Sequence, residues 1–138
     1  MKSFVSLTLA ATLLAAVTVS AARPERLAAT TWTMQVNGGT ETLTITTQGG
    51  PGGPGAANCR IINGEIEGIP DIRGWYCLGT GRIFFVHKNA DSGLAMRVFT
   101  GNVSDLVDGQ PLHMAGTVAI VDPVFGDLGE YNFSAVTQ

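Results

Sequence analysis

Two-residue alternation is the feature that most restricts this chain. Trp32, Met34 and Val36 alternate with Thr33 and Gln35, and Leu43 and Ile45 alternate with Thr42, Thr44 and Thr46. Met96, Val98 and Thr100 likewise alternate with Arg97, Phe99 and Gly101. A period of two sends successive side chains to opposite faces of a strand, whereas a helix face repeats every 3.6 residues or so. No window sustains the helical repeat. Turn chemistry separates the runs, as at Asn37-Gly38-Gly39, Gly68-Ile69-Pro70-Asp71, Gly79-Thr80-Gly81, Asn89-Ala90-Asp91-Ser92-Gly93 and Asp108-Gly109-Gln110-Pro111. Asn and Gly accept the positive φ that tight hairpins require.

About eight strands are therefore expected, over 31–37, 40–47, 59–67, 72–78, 82–88, 94–103, 112–121 and 129–137. Most connections are short, and a parallel pair would need a crossover of about a dozen residues or more. The expected class is all-β, an eight-stranded antiparallel up-and-down β-barrel, with a β-sandwich as the alternative. Closure removes exposed edges, and a barrel of about this size is either filled by side chains or holds one small ligand. An outer-membrane barrel is rejected, because Thr42, Thr44, Arg60, Arg73, Lys88 and Arg97 interrupt the outward apolar band it would need.

The N-terminus reads as a leader. Lys2 precedes an apolar run from Phe4 to Val19, which ends in Ser20-Ala21-Ala22 before Arg23-Pro24-Glu25-Arg26. Small residues after an apolar run of this length mark a signal peptide, and a spanning helix needs about 20 apolar residues. Residues 1–22 are expected to be removed, leaving 23–138 as one secreted domain, extracellular or periplasmic according to source. Export into an oxidising compartment makes the chain's 2 cysteines readable as a pair. Pairing residues symmetrically about position 68 sets Ile61 opposite Trp75, Asn63 opposite Arg73 and Cys59 opposite Cys77. Opposed antiparallel residues lie about 4.5–5.5 Å apart at Cα, within disulfide reach. A cross-strand Cys59–Cys77 bridge is expected.

Charge narrows the partners. The formal net charge is −3 and 14% of residues are charged, with no run of Lys or Arg. Nucleic acid and anionic membrane surfaces are not expected as partners. Ser92, Ser104 and Ser134 lack a nucleophile-elbow context, and His87 and His113 lie on separate strands. The acidic residues sit mostly in turns, where backbone capping accounts for them. Asp105 and Asp108 precede Gly109 without the further ligands of a calcium loop. No catalytic residue, metal site or cofactor is expected, and the chain is not read as an enzyme.

Trp32, Trp75, Phe85, His87, Met96 and Tyr131 are expected on inner faces by period-two phasing, where they would line a ligand site. Asn102-Val103-Ser104 and Asn132-Phe133-Ser134 match the Asn-x-Ser/Thr acceptor, so Asn102 and Asn132 are candidate glycosylation sites in a eukaryotic source.

The early Thr31-Trp32 strand, the first turn at Asn37-Gly38, and the glycine-punctuated stretches Phe99-Thr100-Gly101-Asn102 and Ala115-Gly116-Thr117 together resemble the avidin–streptavidin family in layout. That resemblance implies a calycin-type eight-stranded barrel, a small-molecule ligand at one end and self-association into oligomers. Avidins surround biotin with several tryptophans, some from late strands; here Trp32 and Trp75 are the only tryptophans. The expected function is a secreted, non-enzymatic barrel binding a small apolar or carbohydrate ligand. The alternative is a secreted inhibitor or effector acting through protein contacts of its loops, with the Gly/Pro loop at 48–58 or the arm at 23–29 making contact.

Overall fold

A computed structural model describes residues 22–55, 57–89 and 94–138. The expected leader, but for Ala22, and residues 90–93 of one expected turn lie outside the described residues. The strands are β1 (Thr30–Val36), β2 (Gly39–Pro51), β3 (Cys59–Ile66), β4 (Ile69–Cys77), β5 (Arg82–Lys88), β6 (Ala95–Val103), β7 (His113–Asp122) and β8 (Gly126–Thr137). Each pairs antiparallel with its sequence neighbours, and β8 pairs with β1, giving a closed up-and-down barrel. The sandwich alternative falls away.

Closure gives the barrel two ends. The β1–β2, β3–β4, β5–β6 and β7–β8 turns cluster at one, here called the open end. The N-terminal arm, the C-terminus and the three other connections gather at the opposite end.

The β1–β2 and β3–β4 hairpins turn on two residues each, Asn37-Gly38 and Glu67-Gly68, all four at positive φ. That is the backbone a right-twisted hairpin selects. The second turn was expected at Gly68-Ile69-Pro70-Asp71, but Ile69, Pro70 and Asp71 belong to β4. Pairing follows the expected symmetry from Cys59↔Cys77 to Gly64↔Ile72, then slips to Ile66↔Ile69. β4 thus carries one extra residue in a bulge beside Pro70, whose nitrogen has no proton to give the ladder. β2 also outruns its expected end at 47, continuing through Gly49 and Gly50 to Pro51 with register shifts.

The disulfide joins Cys59 to Cys77 as expected, and both residues are buried. Such a bridge is consistent with an oxidising environment.

The interior is solid. Trp32, Met34, Leu43, Ile62, Tyr76, Phe85, Phe99 and Val118 are each wholly buried, and none of the described buried residues is polar or charged. Phe85 and Phe99 stack at 4.5 Å between centroids, and Phe133 meets Phe99 edge-on at 5.2 Å. Gly101 and Gly116 face each other across β6 and β7, which makes room for those rings. A Cβ on Gly116 would stand 2.0 Å from the Thr100 carbonyl oxygen, and one on Gly101 would crowd both the Ala115 carbonyl and the Phe133 ring.

Candidate functional site

The sequence-expected ligand residues separate into three groups. Trp32 and Phe85 point inward but are fully packed, the Trp32 indole N–H donating to Thr30 Oγ1 at 2.8 Å. His87 and Tyr131 lie further along the same inner faces, half-buried at the open end. Trp75 and Met96 correct the expectation. Tyr76, wholly buried, is the inward aromatic of β4, so its neighbour Trp75 stands on the outer wall, stacked on Phe84 at 5.6 Å. Met96 is the extra residue where pairing slips from His87↔Arg97 to Lys88↔Ala95, and it is absent from the core cluster.

What covers Trp75 is the Gly/Pro segment. A Cβ on Gly53 would lie 2.5 Å from the indole, and one on Gly52 would lie 2.5 Å from the Ile61 side chain. Glycine permits this approach because it has no side chain to clash. The segment is therefore a strap over the outer face of β3 and β4. A cleft of about 230 Å³ beside it is bordered by Pro54, Asn58, Thr80, Arg82 and the disulfide.

The arm at 23–29 is equally committed. Pro24, Leu27 and Ala28 are buried, and Tyr76 Oη donates to the Pro24 carbonyl at 2.8 Å. Arg23 donates to the Val103 carbonyl at 2.6 Å and pairs with Asp105 at 3.0 Å. Gln48 brackets the arm, accepting from Leu27 N–H and donating to the Glu25 carbonyl. The arm plugs one barrel end, and burial there pushes the Tyr76 phenol up to about 12, against a smaller opposing pull from Arg23. The strap and the arm are both packed against the barrel.

At the open end the inner wall turns polar. Arg97 follows Phe99 on the inward face of β6 and packs its guanidinium 5.6 Å from that ring. Its Nη1 donates to both Glu41 carboxylate oxygens, at 2.8 and 2.7 Å, joining β6 to β2 across the mouth. Its Nε donates to His87 Nδ1 at 3.3 Å. Burial, then the Arg97 charge, lowers the His87 pKa, while Asp71 and Glu41 pull weakly the other way. The neutral imidazole accepts from Arg97, which places its proton on Nε2. Ile120 and Tyr131 pack against the core at the same end.

Beyond this lid stands the β7–β8 hairpin tip. Val124 and Phe125 are 82% and 81% exposed, with Leu128 and Val121 partly exposed beside them. The tip has a fixed shape. Asp122 Oδ1 accepts from the Val124 and Phe125 N–H groups at 2.7 and 2.9 Å, and Asp127 Oδ1 accepts from Gly129 N–H at 2.8 Å. Ile69, on the β3–β4 hairpin, adds a further exposed apolar side chain to this end. Periodicity missed the tip because Asp122-Pro123 reads as a connection, yet the dipeptide Val124-Phe125 inside a turn was itself a signal.

Asn102 and Asn132 are exposed, each on a strand of the outer wall. No group of three or more His, Cys, Asp or Glu placed to hold a metal ion occurs among the described residues.

The fold defines a class, a closed eight-stranded antiparallel up-and-down barrel, compatible with a calycin-like layout. Comparison with protein-family models, with curated proteins and with solved structures returns no match.

Proposed function

We propose that the chain is an exported, non-enzymatic binding protein that engages another protein through the loops at its open end. The observation that carries this reading is a filled interior combined with an exposed apolar tip, Val124-Phe125. Contiguous large apolar side chains on a soluble surface mark interaction sites. Because Asp122 and Asp127 already hold the tip in shape, little conformational freedom is lost on docking. An avidin-like small ligand, apolar or carbohydrate, would have to displace Phe85, Phe99 and Phe133 from the interior. Export is supported by the apolar N-terminal run with its small residues and by the Cys59–Cys77 bridge. In a cell that glycosylates asparagine, Asn102 and Asn132 would carry glycans clear of the tip.

Site-specific photo-cross-linking tests the proposal. The chain carrying p-benzoylphenylalanine at Leu128 should capture a discrete species from the native extracellular fluid. Excess unmodified chain should compete, and a Val124→Asp/Phe125→Asp competitor should not. A label at exposed Thr47 should capture nothing comparable. Equal capture from both positions, or equal competition by both competitors, would refute it.

A further inference from the structure

The open end is charged asymmetrically, and the asymmetry is sharpest where the apolar tip lies. No Lys or Arg occurs from Val98 to Gln138, whereas Asp122, Asp127 and Glu130 flank Val124, Phe125 and Leu128 on one hairpin. Glu65, Glu67 and Asp71 add carboxylates on the β3–β4 hairpin. Cations at this end are fewer: Arg97 is spent on Glu41, leaving Lys88 and the mid-strand Arg73 among the described residues. The plugged end is different, with Arg23, Arg26, Arg60 and Arg82 outnumbering Glu25, Asp105 and Asp108 among the described residues.

Screening makes the local set decisive. At physiological ionic strength charges more than about 8 Å apart on a surface hardly interact. An incoming surface therefore meets the hairpin's own carboxylates rather than the chain's modest net charge. The Asp122 and Asp127 side chains spend one oxygen each on the tip backbone, and hydrogen bonds to a charged acceptor are stronger than those to a neutral one. The charge is thus part of what shapes the loop.

Resting on the reading that the tip binds protein, we infer that its partner presents an apolar pocket edged with Lys or Arg. Phe125 and Val124 enter the pocket, and Asp127 and Glu130 meet the basic edge. Complementary charge of this kind steers encounter and rejects acidic surfaces more than it adds affinity. It also sets the hairpin against anionic lipid, which would repel it.

The test uses the folded full chain, labelled with nitrogen-15, and two amphipathic helical peptides with identical leucine positions. One peptide carries Lys at its polar positions and the other Glu. The lysine peptide should shift amides over 121–130 and bind at least about tenfold tighter than the glutamate peptide, with the gap closing as salt rises. Asp127→Asn/Glu130→Lys should erase the preference while leaving the fold intact, as judged by undisturbed amides on β1 and β2. Equal binding of both peptides at the tip would overturn the cationic partner and leave the protein-binding reading standing. Binding of neither, or shifts centred on the plugged end, would overturn both. Tip shifts with phosphatidylcholine or phosphatidylglycerol vesicles that exceed those with the lysine peptide would replace the protein partner by a membrane.

Discussion

Arg97 on β6 and Glu41 on β2 lie 56 positions apart in sequence, yet their side chains meet across the barrel mouth at 2.7 Å. The pair closes the top of a hydrophobic column whose next layer is Phe99. Both side chains retain some exposure, 16% and 28%, so solvent screens the pair in part. Arg97→Ala should destabilise the fold by about 1–3 kcal/mol, between the costs of breaking exposed and buried pairs. Glu41→Gln should cost less, because Arg97 keeps its packing on Phe99. Urea unfolding of the two single variants and the double variant measures the coupling directly.

Acid should weaken the same corner. The folded protein holds His87 below its ordinary pKa, so the unfolded chain takes up a proton first as pH falls. The stabilisation from neutral His87 is complete above about 6.5 and is lost as pH drops towards the folded value. Stability should therefore decline as pH falls below about 6.5, and His87→Gln should flatten that slope. Denaturant midpoints across this range provide the check.

Alkali should act at the opposite end. Tyr76 is raised to about 12, so its contribution is intact below about 10 and fades as pH rises towards 12. Tyr76→Phe removes the bond to the Pro24 carbonyl at a cost of about 1 kcal/mol. It should also loosen the plug, seen as faster amide exchange at Leu27 and Ala28.

Adding one methyl group to the paired glycines should be severe. Gly116→Ala would drive its Cβ into the Thr100 carbonyl, forcing β6 and β7 apart. A loss of at least about 2 kcal/mol is expected. Reducing the Cys59–Cys77 bridge should cost about 3 kcal/mol, the chain-entropy value for a loop of this size. Thermal unfolding of each form gives both numbers.

Much of the architecture was written in local pattern. The Cys59–Cys77 register followed from symmetry about one turn because an unbroken antiparallel ladder conserves that sum. It held until the Pro70 bulge, which no symmetry argument contains. Alternation fixes which residues share a face but not which face is inside. On β4 both faces carry an aromatic: Tyr76 is core, and Trp75 is wall beneath the strap at Gly52 and Gly53. The same ambiguity hid Arg97. Patterning disfavours a guanidinium on an inward position, and the acid that satisfies it lies four strands away. The plug was hidden for a related reason, since its anchors, Tyr76, Gln48 and Val103, come from three distant strands.

On the proposed function, binding belongs to the Val124-Phe125 tip and the interior serves only to hold it. Calorimetric titration of the cross-linked species, once purified, against the chain and its Val124→Asp/Phe125→Asp variant tests this most directly. Tip residues acting as anchors should each be worth about 2 kcal/mol, so the double variant should lose at least about a hundredfold in affinity while melting within about two degrees of the parent. Affinity that survives the double substitution in a normally folded chain would rule out the tip as the binding site.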